Sequence, residues 1–465
     1  VDCFASIEQL ARDLQAGRIT SLALTESLLA RIAALDPALH AFVAVFADRA
    51  RDQARHADRS RTGSAGPLHG IPVALKDLID VEGHVTGAGS RSLPETVAAR
   101  SAHVARKLED AGMIVLGKTH TVEFAFGGWG TNPVLGTPRN PFDMQVHRAP
   151  GGSSSGSAVA VAAGLVPAAL GTDTGGSVRT PSAFCGLVGL KTSRGLIGRS
   201  GVFPLALSFD TIGPMVRAVR DAGLMLAAMA GPDPDDDATA GLRDMAPLAE
   251  VEDGVRGLRL AVLPDHELES VAPDVRALFQ AAMAELERLG AQIGTIRLPH
   301  PVAHYIAPPG AIMSVEAYAR LGAVVEDETN SVSAPARRRV GAGRGVSTMQ
   351  YLQAFESRRA DQAGFAAAMD GFHALACPTC FDIAAPLDAI DEDVVPTLCG
   401  RFVNYLDLAS LALPIGLAPR MAVGMPVGMP VGMQVMVRRF ADPLALRIGR
   451  ALEASRGGLF TPPAL

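Results

Sequence analysis

The chain has 465 residues, 48% of them hydrophobic and 19% charged, which is enough apolar surface for a substantial core and excludes a disordered or fibrous protein. Its 42 basic and 48 acidic residues give a net charge of −6, which offers no basic stripe for nucleic acid. Five scattered cysteines do not form a disulfide framework, and the first residues, Val1-Asp2-Cys3-Phe4, show no secretory leader. The longest apolar stretch, Ala158 to Leu170, is too short for a bilayer and is broken by Gly164 and Pro167, so a cytoplasmic protein with no membrane partner is expected.

The first sixty residues read as helices. Leu28, Leu29, Ile32 and Leu35 form a helical stripe that Asp36-Pro37 should end. Thr62 to Pro67 marks a loop, and Ile71 to Leu75 suits a strand. The chain then alternates. Ser101 to Ala111 reads as helix, Met113 to Leu116 as strand, Gly156 to Ala163 as helix, and Val166 to Leu170 and Leu187 to Leu190 as strands. Gly231 to Asp237 is expected as a surface loop between two lobes. Leu258 to Leu263 reads as strand and Pro273 to Leu289 as helix, burying Val275, Leu278, Ala282, Leu286 and Leu289, with Gly290 at its C-cap. The tandem Pro426-Val427-Gly428-Met429 and Pro430-Val431-Gly432-Met433 is expected to extend a loop before a strand from Gln434 to Val437. Such alternation predicts an α/β fold, a mixed sheet covered by helices, in one domain over 1–465.

Three segments could carry chemistry. Pro150-Gly151-Gly152-Ser153-Ser154-Ser155-Gly156-Ser157 runs straight into small apolar residues, which suits a loop held at a helix start; its composition alone also suits a flexible linker. Gly171-Thr172-Asp173-Thr174-Gly175-Gly176-Ser177-Val178-Arg179 follows an apolar run, so its N–H groups can converge on an oxyanion beside the Ser177 hydroxyl; a turn that simply needs glycine is the alternative. Lys76 ends the run Gly70 to Leu75, where desolvation would favour its neutral amine unless it snorkels to Asp77 or Asp80. No histidine sits in a context that selects it as a base. His300 and His304 are four apart, but Pro299 and Pro301 argue against a helical metal pair.

Together, GIPVALKD, PGGSSSGSA and GTDTGGSVRTPSAFCGLVGLKTSRG resemble the amidase signature family from Gly70 to about Met215. The Phe372–Thr379 and Gly428–Glu453 segments are similar to that family's C-terminal half. The resemblance implies an acylating Ser177, a relaying Ser153 behind a cis peptide, and Lys76 as general base. It implies an oxyanion hole from the N–H groups of Thr174, Gly175, Gly176 and Ser177. Ser154, Asp173 and Arg179 would orient these loops, and Phe124 to Asn132, with Gly127, Gly128 and Trp129, would shape the pocket.

The reaction so implied needs no metal and no cofactor. Its substrate would be a small amide, carbamate or urea-like compound, and base rates for such enzymes suit a homodimer. Two other readings within the resemblance are a glutaminase-type amidotransferase subunit feeding ammonia to a partner and a non-catalytic binding protein. A rival reading takes Gly152 to Gly156 as GxSxG, with Ser154 as nucleophile and His266, His300, His304 or His373 as base. Two further motifs are weaker. Cys377-Pro378-Thr379-Cys380 has CxxC spacing without a second pair, and Arg337-Arg338-Arg339 is expected in a solvated, mobile loop.

Overall fold

A computed structural model describes residues 1–242, 245–422 and 425–465, with side chains described outside 420–427. Eleven strands form one sheet among the described residues: β1 (Phe42–Val45), β2 (Pro72–Lys76), β3 (Ile114–Thr119), β4 (Ala168–Asp173), β5 (Val188–Lys191), β6 (Thr211–Val216), β7 (Arg259–Val262), β8 (Gln292–Thr295), β9 (Ala374–Pro378), β10 (Ala409–Ala422) and β11 (Met425–Val437). Their spatial order is β1-β3-β2-β4-β6-β5-β10-β11-β9-β7-β8. β3, β2 and β4 run parallel, as do β9, β7 and β8, and the strands between these triplets pair antiparallel. The expected mixed α/β architecture is therefore the observed one.

The interior strands β2 to β6 are buried along their full length, which explains why they read as unbroken apolar runs. The helix Pro273–Arg288 buries Val275, Phe279, Ala282, Met283 and Leu286, with Gly290 at φ 102° two residues beyond its end.

Three expectations change. Asp36-Pro37 does not end its helix, which runs through Ser21–Leu39. Asp36 closes it one turn later, because its carboxylate accepts the N–H of Ala41 (2.7 Å) and its carbonyl that of His40 (2.7 Å), which turns left-handed. The PVGM repeat lies inside β11 rather than in a loop. From Met425 to Val431 β11 has only β10 paired beside it among the described residues, and such an edge tolerates prolines that lack an N–H.

Gly231 to Asp237 runs at the surface, as expected of a loop, and is tied down by its carboxylates. Asp236 grips the Arg199 guanidinium at 2.8 and 2.9 Å, and Asp233 accepts the N–H (3.1 Å) and hydroxyl (2.6 Å) of Ser200. The Arg337–Arg339 run lies in a helix, Ala334–Gly341, that turns Arg339 inward to the Phe126 carbonyl.

Candidate active site

β2 and β4 are parallel neighbours, with Leu75 opposite Leu170, so the chain leaves both at the same end of the sheet. Lys76 is the last residue of β2, and the 171–179 segment begins on the last residues of β4. The helix Ser155–Ala162, wholly buried, brings the third segment to that end. Its small residues permit close approach: a Cβ on Gly156 would lie 2.3 Å from the Ala41 carbonyl oxygen. The Gly152–Ser153 peptide bond just before it is cis.

Lys76 has no solvent exposure. Its Nζ is hydrogen-bonded to Ser153 Oγ at 2.7 Å and donates to Thr172 Oγ1 at 2.9 Å. Burial brings its pKa down to about 7, although the carboxylates of Asp173 and Asp210 pull the other way. A lysine so poised, bonded to a hydroxyl, can take up and return a proton near neutral pH. The snorkelling alternative does not hold, since Asp77 pairs instead with Lys118 at 3.1 Å.

Ser177 is brought beside this pair through the backbone: its carbonyl accepts the N–H of Ser154 at 3.3 Å. Its hydroxyl makes no hydrogen bond among the described residues and opens on a cavity of about 160 Å³ that Gly152 also lines. Of the four N–H groups expected around an oxyanion, that of Gly176 is already engaged, donating to Asp173 Oδ1 at 2.9 Å. Those of Thr174, Gly175 and Ser177 find no acceptor among the described residues. Gly176 itself adopts φ 119°, a turn that favours glycine.

Asp173 holds this turn. Its carboxylate also accepts the Val178 N–H (3.0 Å) and two bonds from Arg179 (3.0 and 3.1 Å). Burial opposes its ionisation, but the Arg179 charge and hydrogen bonds outweigh that and hold the carboxyl well below the usual range. Arg179, 1% exposed, donates onward to Gln434 Oε1 (2.9 Å), Asn404 Oδ1 (2.8 Å) and the Gly400 carbonyl (2.9 Å). Ser154 joins the two serine loops, its hydroxyl bonded to both the carbonyl and the N–H of Thr172 at 3.3 Å. Asn404, Gln434 and Asp210, which accepts from Thr174 Oγ1 at 2.5 Å, were not foreseen from sequence, because no local spacing connects them to the motifs, and Thr172, inside the Gly171–Arg179 segment, was not singled out there as a partner of Lys76.

Gly127 and Gly128 line the cavity, but Trp129 does not. Its indole N–H donates to the carbonyls of Asp391 (3.0 Å) and Val394 (2.8 Å), so it pins the 391–397 segment that forms the opposite wall. Arg339, paired with Glu392 at 2.7 Å, and Arg401 complete that wall.

The rival elbow is dismantled by the same contacts. Ser154 is fully buried and bonded to Thr172, and the four histidines lie elsewhere. His373 accepts the Arg259 N–H, and His266 sits beside Glu267. His300 and His304, not expected to act together, stack at 4.2 Å and face Asp361, and the three offer ligand atoms within 4.8 Å of one another. Among the described residues no disulfide forms, and burial pushes the Cys380 thiol far up. Among the described residues, too, no helix is long and apolar enough to cross a membrane.

The model of the family described as Amidase matches residues 23–446. A glutamyl-tRNA(Gln) amidotransferase subunit from Roseiflexus castenholzii is 36% identical over 476 residues, covering 96% of this chain and 95% of that one. Native peptide amidase from Stenotrophomonas maltophilia superimposes with a TM-score of 0.84 at 31% identity, over 99% of this chain and 98% of that one. A structure from a vestigial protein complex, described as revealing the evolutionary origins of an s-triazine catabolic enzyme, gives 0.89 at 29% identity, over 99% and 100% of the two chains.

Proposed function

The chain belongs to the amidase (amidase signature) family, and on that premise we propose that it is a stand-alone serine amidohydrolase acting through an acyl-enzyme on Ser177. The observation that carries this reading is the contact between wholly buried Lys76 and Ser153 beside a Ser177 hydroxyl open to a cavity. Neutral Lys76 takes the proton of Ser153 as Ser153 takes that of Ser177, whose Oγ bonds to the substrate carbonyl carbon. Charge developing on the carbonyl oxygen is met by the N–H groups of Thr174, Gly175 and Ser177, each such donor contributing roughly 2.7–4 kcal/mol in comparable sites. The proton returns through Ser153 to the leaving nitrogen, the C–N bond breaks, and an amine or ammonia departs. Water then attacks the ester, giving up its proton along the same path, and the free acid leaves with Ser177 restored.

Intact-mass analysis after exposure to a small fluorophosphonate tests the assignment. A single adduct on the wild type and on Ser154→Ala, absent from Ser177→Ala, is the expected result. An adduct that persists in Ser177→Ala overturns it. Parallel assays on matched amides and carbamates decide whether carbamates are cleaved.

A second reading rests on the Roseiflexus similarity, which spans nearly the whole of both chains. The protein would then release ammonia from glutamine for a partner. Glutamine hydrolysis by the purified chain, weak alone and raised by a partner, would favour that reading, and turnover of simple amides without glutaminase activity would favour the first.

A further inference from the structure

We propose that Arg401 is an anion-recognising residue of the Ser177 cavity and that the substrate is a short amide carrying a carboxylate, an inference that rests on the acyl-enzyme reading above. The charges around the cavity do not balance. Glu392 is taken by Arg339 at 2.7 Å and Asp393 by Arg338 at 2.6 Å. Arg401, half-buried on the wall, makes a single hydrogen bond among the described residues, from Nη1 to the Ile306 carbonyl at 3.2 Å. No carboxylate among those residues pairs with it. Burial, with the charge of neighbouring Arg339, pushes its pKa down, so an incoming anion would relieve an unfavourable charge.

Its position fits a role in the substrate pocket. Arg401 follows Gly400, whose carbonyl is held by Arg179, so its backbone is anchored to the network that shapes the Ser177 turn. Its Cγ would lie 3.3 Å from a Cβ placed on Gly175, next to one of the unengaged N–H groups. Leu205, Phe126 and Met313 supply apolar lining, which suits a short methylene chain. A guanidinium with free donors matches a carboxylate with two parallel hydrogen bonds. The small cavity keeps that carboxylate within a few bonds of the carbonyl attacked by Ser177.

The test compares malonamate, succinamate and glutaramate, each with the neutral amide in which a methyl replaces the carboxylate. The wild type should prefer the best anionic member by about 100-fold in kcat/KM, mainly through KM. That preference should collapse toward unity in Arg401→Gln and recover in part in Arg401→Lys. No anionic preference in the wild type, or a preference that Arg401→Gln leaves intact, overturns the proposal. Calorimetric titration of the same three anions into Ser177→Ala separates this site from the nucleophile. Saturable binding that disappears in Ser177→Ala/Arg401→Gln supports the anion site even if Ser177 proves not to be acylated. Absence of saturable binding by all three overturns the anion site, while the fluorophosphonate adduct still reports on Ser177.

Discussion

Lys76 Nζ and Ser153 Oγ lie 2.7 Å apart although 77 residues separate them in the chain. The parallel pairing of β2 with β4 and the buried helix after Ser154 bring them together. Among the described residues the lysine has no carboxylate in hydrogen-bonding contact, so burial rather than an ion pair sets its protonation, and the consequences are measurable.

If Lys76 accepts the proton, kcat/KM should rise with pH through an apparent pKa of about 7 and then level off. Lys76→Met should lower kcat by at least about 10²-fold and remove this limb of the profile. The sign of the stability effect also follows. The folded pKa lies below the ordinary 10.5, so between about 7 and 10.5 the unfolded chain binds more protons and the group's contribution to stability rises with pH. Below about 7 its full cost is present. Lys76→Met should therefore exceed the wild type in stability most at pH 6, with the gap closing toward pH 10, as read by urea unfolding.

Arg179→Met should leave Asp173 buried with its charge partner removed. Breaking such a pair costs roughly 3–5 kcal/mol, which should appear as a lower urea midpoint. Gln434→Ala removes one outer acceptor of Arg179 and should cost less.

Gly171→Ala places a Cβ 2.6 Å from Ser154 Oγ and 3.0 Å from its Cβ. Displacing Ser154 shifts both serine loops at once. We expect kcat to fall about 100-fold, the scale of a small misplacement of reacting groups, with far-ultraviolet circular dichroism unchanged.

Trp129→Phe keeps the apolar packing on Phe184 but removes both indole hydrogen bonds to the 391–394 segment. The cavity wall should loosen, raising KM by about 3- to 10-fold with kcat changed little. An equal fall in kcat and kcat/KM would instead mean that Trp129 acts on the reacting groups.

The order of the strands β2 to β5 was legible because buried strands read as apolar runs bounded by glycine and proline. β1, a four-residue strand of mixed burial pattern, was missed, as were β6, β8, β10 and the continuation of β11 through two prolines. Each is held extended by neighbouring strands that no local window contains. The Arg337–Arg339 run misled for a similar reason: charge suggested solvent, whereas Glu392 and the Phe126 carbonyl draw Arg339 inward.

Which residues are available for chemistry, and on which elements they ride, follows from local composition and spacing: a lysine closing an apolar strand, and serines in two glycine-rich loops beside a strand end and a helix start. Tertiary structure alone decided that Lys76 is fully desolvated, that Gly176 spends its N–H on Asp173, that Trp129 braces the cavity wall, and that Arg401 is left without an acidic partner among the described residues. Desolvation, hydrogen-bond engagement and charge balance are sums over groups that become neighbours only when the sheet closes around them.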